Sequence, residues 1–560
     1  MSKLHENLQS QLEYFYRFEK ETPNAPFLKQ PYGDNWTTLT YRDAGQMARK
    51  MVNALRSMGL KKGDHIGLLS KNCYHWVVSD LAIMMGGYVS VPFYANLSGD
   101  SLRTVLDLSD AKLLIIGKLD KWDGVEEAIP EGMPVIKFPH YPGNAEVTVG
   151  EAWDELLAKH QPITENFLPD LKSTWTILFT SGTTGTPKGV IHTYENAALI
   201  INNEVHYNAL GLMGHDQNIF FSFLPLNHIA ERAAVELGTI MTGGCVSFVE
   251  SLDTFAKNLA DTQPTFMFAV PRIWTKFQLG ILAKMPQQKL DRLLKIPIVS
   301  GLVKKKLHKA LGLSRARDIL TGASLTPESL KQWYRKIGLN LREVYGMTEN
   351  FGAFCLMPPD QHKPNTVGRP VPNAEGRIDP DTGEILMKMP WMMTGYYKDE
   401  EKTAEVLVDD WLHTGDKGLM DDEGFFKVVG RVKDAFKTSK GKFVVPTILE
   451  DKFAENDFIE QICVAGLGIP QPIALVNLSE VALKEDASKI QEVLQNQLKE
   501  ANKTLHGHER ISTLIVTKEA WAPENKLLTP TLKIRRTAID EKYIENYGGW
   551  HEDKADVIFE

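Results

Sequence analysis

Short apolar runs rich in β-branched residues alternate with segments of helical periodicity over most of this chain. The runs have the length of buried strands, and they lie at residues 66–70, 113–116, 175–180, 219–223, 245–249, 265–270 and 318–321. Strands that alternate with helices are typical of α/β proteins, whose sheets are mostly parallel and covered by helices. The pattern therefore predicts an α/β fold.

One helix is predicted with both of its ends. Its buried face would carry apolar residues three and four positions apart, namely Met47, Ala48, Met51, Val52 and Leu55. Thr40 and Asp43 have the spacing of a capping box at the start of this segment, and Gly59 follows it as a stop signal.

The composition of the chain changes near residues 430–433. Residues 411–430 are acidic and rich in turn formers, and the stretch after them is rich in lysine. The remaining part has its own alternation, with a strand at 511–516 and before it a helix face of Ile490, Val493, Leu494 and Leu498. We predict a large N-terminal body of several subdomains, residues 1–430, and a small mobile C-terminal α+β lid domain, residues 431–560.

The charge balance and the cysteines exclude several classes of protein. The 560 residues include 63 Lys and Arg against 71 Asp and Glu, so no basic surplus is available to neutralise a nucleic acid. The four cysteines show no C-x-x-C spacing, which excludes a zinc ribbon and a disulfide framework; they are Cys73, Cys245, Cys355 and Cys463. A reducing compartment fits this pattern best.

No segment has the pattern of a secretory signal or a membrane span. Residues 1–20 have no apolar core, and the most apolar run, 81–93, is short and interrupted by glycine and proline. A basic cluster of Lys304, Lys305, Lys306, His308 and Lys309 fits either an anionic lipid surface or a solvated helix face. We expect a cytoplasmic protein with at most peripheral membrane contact, at the inner face; its oligomeric state stays open.

The strongest candidate for chemistry is a glycine- and threonine-rich run that directly follows the predicted strand 175–180. Glycines allow a tight turn, hydroxyl groups add hydrogen-bond donors, and Lys188 adds a positive charge. The run reads Thr180, Ser181, Gly182, Thr183, Thr184, Gly185, Thr186, Pro187, Lys188 and Gly189. These features predict a loop that binds a polyphosphate, although a plain surface turn has a similar composition.

A second motif places an aromatic ring, a hydroxyl group and a carboxylate within five residues. In Tyr345, Gly346, Met347, Thr348 and Glu349 the ring can stack on adenine, and the glycine permits a close approach. A carboxylate next to phosphates requires a cation, for which Mg²⁺ is the expected ion. Taken alone, the motif also fits a strand end followed by a turn with an exposed acid.

The glycine- and threonine-rich run resembles the phosphate-loop signature of the adenylate-forming (AMP-binding) superfamily, and further signatures follow in the family's order up to residue 533. Residues 223–232 (FLPLNHIAER), 270–277 (VPRIWTKF) and 527–536 (LLTPTLKIRR) look most like bacterial long-chain fatty acyl-CoA synthetases. The last of these has a Thr-Leu-Lys variant where the broader superfamily has a Gly-Lys pair. This departure favours acyl-CoA synthetases over peptide-synthetase adenylation domains.

The resemblance implies roles for single residues. Thr180 and Glu349 would hold Mg²⁺, and Lys533 would be the catalytic lysine, assisted by His228 near the acyl carboxylate. The rest of the nucleotide site would consist of the phosphate-loop residues Ser181, Gly182, Thr183, Thr184, Gly185 and Lys188, the adenine-pocket segment Gly322, Ala323 and Ser324, the motif Tyr345, Gly346, Met347 and Thr348, and the ribose contacts Asp416 and Arg431.

Several of these assignments have an ordinary structural alternative in the sequence. The family's hinge position corresponds to Lys433, which also fits a solvated linker. Asp416 lies in a predicted turn, where a carboxylate can bind ribose hydroxyls or simply be solvated. His228 is an isolated histidine among apolar residues, and Trp274 resembles a substrate gate but fits a buried core tryptophan equally well.

The resemblance implies a two-step ligase that uses ATP, Mg²⁺ and coenzyme A. A carboxylic acid would first form an acyl-adenylate with release of pyrophosphate, and the thiol of coenzyme A would then take the acyl group. The expected substrate is a long-chain fatty acid. Medium-chain, aryl or terpenoid acids, a carrier-protein acceptor, a kinase or ATPase, and an inactive nucleotide- or acyl-binding relative stay open as alternatives.

Overall fold

The computed structural model describes residues 2–180, 187–454, 456–529 and 533–560. The contacts within it divide the chain into two compact units. Among the described residues, the first unit holds 2–180, 187–375 and 387–412, and the second holds 376–386 and 413–560. The boundary that the sequence predicts between residues 430 and 431 stays a prediction.

The strands of the described chain are mostly short. They are β1 (Pro26–Tyr32), β2 (Asn35–Thr40), β3 (His65–Leu69), β4 (Val89–Phe93), β5 (Leu113–Ile116), β6 (Val135–Lys137), β7 (Glu151–Ala152), β8 (Thr174–Thr180), β9 (Lys188–Thr193), β10 (Ile219–Ser222), β11 (Cys245–Phe248), β12 (Phe266–Ala269), β13 (Asp318–Thr321), β14 (Leu341–Tyr345), β15 (Cys355–Leu356), β16 (Arg369–Pro370), β17 (Glu375–Ile378), β18 (Glu384–Lys388), β19 (Gly395–Tyr396), β20 (Leu407–Val408), β21 (Trp411–Met420), β22 (Phe426–Arg431), β23 (Phe436–Lys437), β24 (Phe443–Val444), β25 (Ile459–Ala465), β26 (Ile473–Leu478), β27 (Leu514–Val516) and β28 (Val557–Phe559).

Helices separate most of the parallel strands. They are α1 (Gln11–Glu21), α2 (Tyr41–Ser57), α3 (Tyr74–Gly86), α4 (Gly99–Ser109), α5 (Trp153–Lys159), α6 (Tyr194–Tyr207), α7 (Ile229–Glu231), α8 (Gly238–Thr242), α9 (Phe255–Thr262), α10 (Pro271–Lys284), α11 (Gln287–Leu294), α12 (Pro297–Ala310), α13 (Glu328–Lys336), α14 (Glu400–Val406), α15 (Pro446–Glu450), α16 (Ala487–Lys503) and α17 (Arg536–Glu552). A 3₁₀ turn spans Thr348–Asn350, and a π-helical turn spans Arg232–Leu237.

The first unit is built on three sheets. Eight strands form the order β19-β9-β8-β4-β3-β5-β6-β7, in which the run from β8 to β7 is parallel. The second sheet has the order β10-β11-β1-β2, and the third has the order β12-β13-β14-β15-β16. The first two pairs of the third sheet are parallel and its last two are antiparallel.

The second unit contains a sheet of order β25-β26-β27-β28, antiparallel in its first pair and parallel in the other two. The apolar face of α16 belongs to the core on this sheet, with Ile490, Leu494 and Leu498 buried. Strands β21 and β22 form an antiparallel pair within a further sheet, of order β17-β18-β21-β20 with β22 beside β21. This mixture of strand directions and helices is the predicted α+β organisation, and the α/β fold class is confirmed.

The predicted elements fall close to the observed ones. All seven predicted strands exist, and β5 and β13 have the predicted bounds. The capping box at Thr40 and Asp43 is formed at the start of α2, whose buried face includes Ala48, Met51 and Val52.

The predicted strand at 511–516 is wrong in its first half, since β27 begins at Leu514. The amide of Asn502 instead binds the backbone of Ile511, with its Nδ2 donating to the carbonyl oxygen at 2.8 Å and its Oδ1 accepting from the N–H at 2.9 Å. A side chain thus satisfies the backbone groups that a longer strand would pair. Within the described residues, no helix combines the length and the apolar character that a membrane span requires.

Candidate functional site

Two predicted site segments leave the same edge of one sheet in the first unit. Strands β13 and β14 are parallel neighbours, with Thr321 opposite Glu343, so the residues after both strands emerge together. A Cβ added at Gly322 would lie 2.6 Å from the carbonyl oxygen of Val344. Glycine is therefore needed where the segment after β13 crosses β14. This edge is where ligands of open parallel sheets bind.

The segment after β13 exposes two of its residues, one of them in an unusual backbone conformation. Ala323 has a φ of 67°, in the left-handed region that non-glycine residues seldom adopt, and both Ala323 and Ser324 are exposed. Such a conformation costs free energy and is enriched at ligand-binding sites. The geometry is compatible with the predicted adenine-pocket role, which stays a prediction.

Residues 345–354 form a tight hairpin between β14 and β15. The N–H of Phe354 donates to the carbonyl oxygen of Tyr345 at 2.9 Å. A Cβ at Gly346 would lie 2.2 Å from the carbonyl oxygen of Gly352, so the two arms leave no room for a side chain. The close approach for which this glycine is required is therefore between the two arms of the hairpin.

The carboxylate of Glu349 is held in place by a residue that the sequence did not reveal. Tyr396 Oη donates to Glu349 Oε1 at 2.8 Å, and the N–H of Met393 donates to the Glu349 carbonyl oxygen at 2.8 Å. The Nζ of Lys188 lies over the Tyr396 ring, 5.4 Å from its centroid. Tyr396 thus joins the predicted phosphate-binding lysine to the predicted metal-binding acid.

The predicted phosphate loop is described only at its two ends. Thr180 ends β8 and Lys188 begins β9, and the two are paired in register across the antiparallel strands. Thr180 Oγ1 donates to the carbonyl oxygen of Lys188 at 3.4 Å. The predicted residues Ser181, Gly182, Thr183, Thr184 and Gly185 lie outside the described residues.

A buried histidine contacts the hairpin of residues 345–354. His192 Nε2 donates to the carbonyl oxygen of Thr348 at 2.8 Å, and its ring packs edge-on against Phe351. Burial lowers the pKa of His192 to about 4, so the ring is neutral at physiological pH. Sequence reasoning missed this residue because an isolated histidine in an apolar strand gives no functional signal.

The segment that carries His228 packs beside the same hairpin. A Cβ at Gly352 would lie 3.5 Å from Cγ2 of Ile229, the residue next to His228. His228 Nδ1 accepts a hydrogen bond from the N–H of Ala230 at 3.2 Å. In the neutral ring the proton is therefore on Nε2, where it can be donated to a ligand.

A buried acid fixes the beginning of this segment. Glu231 is fully buried, and its Oε1 accepts hydrogen bonds from Ser222 Oγ at 2.7 Å and from the N–H of Phe223 at 3.1 Å. Burial raises the pKa of Glu231 to about 8, which favours the neutral acid at neutral pH. Like His192, this residue was missed by sequence reasoning.

The amide of Asn72 fixes the middle of the segment. Its Nδ2 donates to the carbonyl oxygen of Leu224 at 2.6 Å, and its Oδ1 accepts from the N–H of Leu226 at 3.1 Å. Side chains from two elements therefore hold the backbone that leads to His228.

Trp274 lies in the core of the first unit. Its side chain is fully buried, and Nε1 lies 3.1 Å from the carbonyl oxygens of both Ala269 and Leu320. It ties β12 to β13, which is the core alternative that the sequence left open. The gate assignment stays a prediction.

In the second unit, Asp416 pairs with Arg431 across β21 and β22. Arg431 Nε lies 2.8 Å from Asp416 Oδ1, and the two residues are direct cross-strand partners. The predicted turn at Asp416 is wrong, because the residue lies inside a ten-residue strand. The neighbouring Gly415 is a turn former in sequence terms, and its φ is 71°. Within the strand, its N–H donates to Glu384 Oε1 at 2.6 Å.

The predicted hinge residue follows this pair directly. Lys433 is exposed in the turn after β22. The next residue, Asp434, lies 3.2 Å from Arg536 Nε, which also pairs with Glu450. The residue after the predicted hinge is thus tied to the interior of the second unit.

Lys533 lies on an exposed loop of the second unit. Its N–H donates to Thr529 Oγ1 at 3.1 Å, and the N–H of Thr529 donates to the Lys533 carbonyl oxygen at 2.8 Å. The next residues on each side of the loop, Leu528 and Ile534, form an antiparallel β-bridge. The two ends of the loop are therefore closed by backbone bonds, while residues 530–532 lie outside the described chain.

The donor set of the first unit fits a magnesium ion that also binds phosphates. In the part of the chain that the structure describes, no group of three or more His, Cys, Asp and Glu side chains is arranged to hold a metal. Mg²⁺ usually binds one or two carboxylates, water and substrate phosphates. Glu349, oriented by Tyr396, is the carboxylate that the sequence predicts for this role, and Thr180 ends the strand that leads to the predicted phosphate loop.

Comparison with known protein families gives two matches. The family described as AMP-binding enzyme matches residues 15–397. The family described as AMP-binding enzyme C-terminal domain matches residues 433–547.

Curated relatives cover almost the whole chain at low identity. A long-chain-fatty-acid–CoA ligase of Mycobacterium bovis is 29% identical, with 94% of each chain covered. The long chain acyl-CoA synthetase 5 of Arabidopsis thaliana is 28% identical and covers 90% of this chain and 85% of its own.

Solved structures share the fold. The adenylation domain of a carboxylate reductase from Mycobacterium chelonae has a TM-score of 0.80 at 21% identity, and covers 99% of this chain and 92% of its own. The o-succinylbenzoate coenzyme A synthetase of Bacillus subtilis, in complex with ATP and magnesium ion, has a TM-score of 0.71 at 22% identity, and covers 94% and 98%.

Proposed function

This chain belongs to the AMP-binding enzyme family, and we propose that it is an ATP-dependent ligase that joins a fatty acid to coenzyme A. The observation that carries the proposal is the contact of Lys188 and Glu349 with one tyrosine, Tyr396, beside the hairpin of residues 345–354. The proposed phosphate-binding lysine, at the start of β9, and the proposed metal-binding carboxylate, in the hairpin after β14, thereby contact the same side chain although they come from two different sheets.

The first step would activate the acid. A carboxylate oxygen of the fatty acid attacks the α-phosphorus of ATP, the bond from that phosphorus to the bridging oxygen breaks, and pyrophosphate leaves with the electron pair. The product is an acyl-adenylate. No covalent bond to the protein is formed, so catalysis depends on placement and on electrostatic stabilisation of the charge at phosphorus.

The residues of the first unit would bind the nucleotide and the leaving group. Lys188 and Thr180 flank the phosphate loop and would contact the departing pyrophosphate. Tyr345 would pack against adenine, and Glu349 would hold Mg²⁺. When bound, Mg²⁺ neutralises phosphate charge. His228, with its proton on Nε2, would donate to the carboxylate of the acid.

Three residues of the second unit have proposed roles as well. Asp416 would accept hydrogen bonds from the ribose hydroxyls, and its pairing with Arg431 keeps the carboxylate in a fixed position. Lys533 would bridge the fatty-acid carboxylate and the α-phosphate during the first step. We place the hinge between the two catalytic arrangements at Lys433.

The second step would form the thioester. The sulfur of coenzyme A attacks the carbonyl carbon of the acyl-adenylate, the carbon–oxygen bond to AMP breaks, and the thiol proton passes to solvent. Rotation at Lys433 would withdraw Lys533 and admit the thiol. Motion of the second unit can then limit the turnover rate.

A long-chain fatty acid is the proposed substrate. The support comes from curated relatives that are named long-chain ligases and align over 90% or more of this chain. The structures that share the fold include a synthetase named for o-succinylbenzoate, so acid preference is the part of the proposal that most needs measurement.

The test is pyrophosphate release measured across saturated fatty acids of graded length and aryl acids, with and without coenzyme A. We expect AMP and pyrophosphate as products, the highest kcat/KM with long chains, and thioester only with coenzyme A. Formation of ADP would contradict the proposed ligase activity, and a preference for an aryl acid would contradict the proposed long-chain substrate. The Lys533→Ala variant serves as the inactive control.

A further inference from the structure

One helix of the first unit exposes large apolar side chains to solvent. In α12, Ile298 is 83% exposed and Leu302 is 67% exposed, and Ile296, just before the helix, is 49% exposed. Positions 298 and 302 are one turn apart, so both side chains lie on the same side of the helix. Exposed apolar residues that cluster in this way mark an interaction surface.

The opposite side of α12 fixes the orientation of the helix. Leu307 is buried in the core that also contains Trp274 and Leu290. His308 Nε2 donates to the carbonyl oxygen of Ile337 at 2.8 Å. The exposed side is therefore the side that the packing of the helix leaves open to the surroundings.

The exposed side continues into positive charge. Lys305, Lys306 and Lys309 are exposed on the turns that follow Leu302. Residues 285–311 contain seven lysines and arginines and one acid, Asp291, in a chain whose net charge is −8. The apolar end and the basic end therefore form one surface, defined by Ile296, Ile298, Leu302, Lys305, Lys306 and Lys309 and called here the α12 surface.

We propose that the α12 surface docks the protein on an anionic phospholipid membrane. Ile298 and Leu302 would enter the boundary between headgroups and acyl chains, and the lysines would bind lipid phosphates with their stems along the interface. From Ile298 to Lys309 the helix is about 16 Å long, so it lies along the membrane surface and does not cross it.

A lipid surface fits this arrangement better than a protein partner does. A bilayer accepts protruding apolar side chains without a matching pocket, and it supplies many phosphates for lysines spread over two turns. A second copy of the chain in a symmetric dimer would bring either its own lysines or its apolar residues against this lysine cluster, and both arrangements leave charge unpaired.

The test is sedimentation with vesicles of equal parts phosphatidylglycerol and phosphatidylcholine, compared with phosphatidylcholine alone. We expect the full chain to bind the anionic vesicles and to be released by salt. Removing three lysine charges with K305Q/K306Q/K309Q should weaken binding about 100-fold, since each lysine near an anionic surface contributes about fivefold. Ile298→Asn with Leu302→Asn should weaken it at least about tenfold.

A matched control uses apolar residues exposed elsewhere in the same unit. Leu252 is 90% exposed and Leu168 is 60% exposed, so Leu168→Asn with Leu252→Asn should bind vesicles as the unaltered chain does. Unchanged thermal melting of each variant shows that it is folded. The assay contains no acid, ATP or coenzyme A, so its outcome is independent of the proposed ligase activity.

Three results would overturn the proposal. The first is equal binding of the unaltered chain to anionic and neutral vesicles. The second is unchanged binding of the variant with Ile298→Asn and Leu302→Asn. The third is a dimer in light scattering that this variant dissociates, without vesicle binding by the unaltered chain, because the α12 surface would then join two copies.

Discussion

Glu349 and Lys533 are two of the residues proposed to act on charge, and the structure supports them in different ways. Glu349 is bonded through its carboxylate to Tyr396 and through its backbone to Met393. Lys533 is exposed on a loop whose two ends are joined by hydrogen bonds between Lys533 and Thr529.

The difference has a physical meaning. A metal-binding carboxylate works best when it is already oriented, because no free energy is then spent on ordering it. A lysine that serves the first step and must leave before the second works best on a short loop with a closed base. We therefore interpret the first unit as the part that holds the nucleotide and the second as the part that delivers a charge.

Removing the positive charge of Lys533 should have the largest effect on the reaction rate. We expect Lys533→Ala to slow acyl-adenylate formation about 10²–10³-fold, the loss found for one preorganised donor to a transition state. Thioester formation from supplied acyl-adenylate should be nearly unchanged. The measurement is ATP–pyrophosphate exchange beside a thioester assay.

Lys526→Ala is the matched control, because Lys526 is an exposed lysine seven residues earlier in the same unit. It should leave both steps unchanged. If Lys533→Ala slowed both steps equally, the proposal that Lys533 acts only in acyl-adenylate formation would be contradicted.

Loosening the held carboxylate should have the next largest effect. In Tyr396→Phe, Glu349 loses its hydroxyl donor, and we expect the Mg²⁺ concentration for half-maximal exchange to rise about 10–100-fold, as for other residues that orient a metal ligand. Saturating Mg²⁺ should restore most of the rate.

The adjacent Tyr397→Phe is the control for this prediction. Tyr397 Oη donates to Asp110 at 2.6 Å and not to Glu349, so this variant should keep the normal Mg²⁺ dependence. A rate loss in Tyr396→Phe that Mg²⁺ does not reverse would show that Tyr396 acts through the fold of the hairpin.

Restricting the hinge should separate the two half-reactions. Lys433→Pro fixes φ at this position, and we expect thioester formation to slow about tenfold while pyrophosphate exchange is kept. Lys433→Ala keeps the backbone freedom and should resemble the unaltered chain. The same loss in both half-reactions of Lys433→Pro would place the hinge elsewhere.

The sequence predicted the elements of the site better than it predicted their supports. Strand β13 has its predicted bounds because a short apolar run between polar segments has few alternatives. The bond between Tyr396 and Glu349 joins positions far apart in the chain, and no periodicity or motif connects them. Asp416 was placed in a turn because Gly415 next to it is a turn former, whereas pairing with β22 decides the conformation.

The smallest expected effect concerns the buried acid that holds the His228 segment. The pKa of Glu231 is raised to about 8 in the folded chain, above about 4.3 when unfolded. The stability that its neutral form contributes is therefore complete below about pH 4.3 and is lost as the pH rises through 8. Gln at this position can accept the same hydrogen bonds and cannot ionise.

We therefore expect Glu231→Gln to melt about 2–4 °C higher than the unaltered chain at pH 9, and to show little difference at pH 5. Glu231→Leu removes the acceptor for Ser222 and Phe223, and should melt lower at both pH values. Calorimetry of the three proteins at the two pH values tests this. ATP–pyrophosphate exchange is measured in parallel, because Glu231 holds the segment that carries His228. If Glu231→Gln were as destabilising as Glu231→Leu, the buried group would be a carboxylate whose charge is required, and the first unit would hold its site by ion pairing instead of by neutral hydrogen bonds.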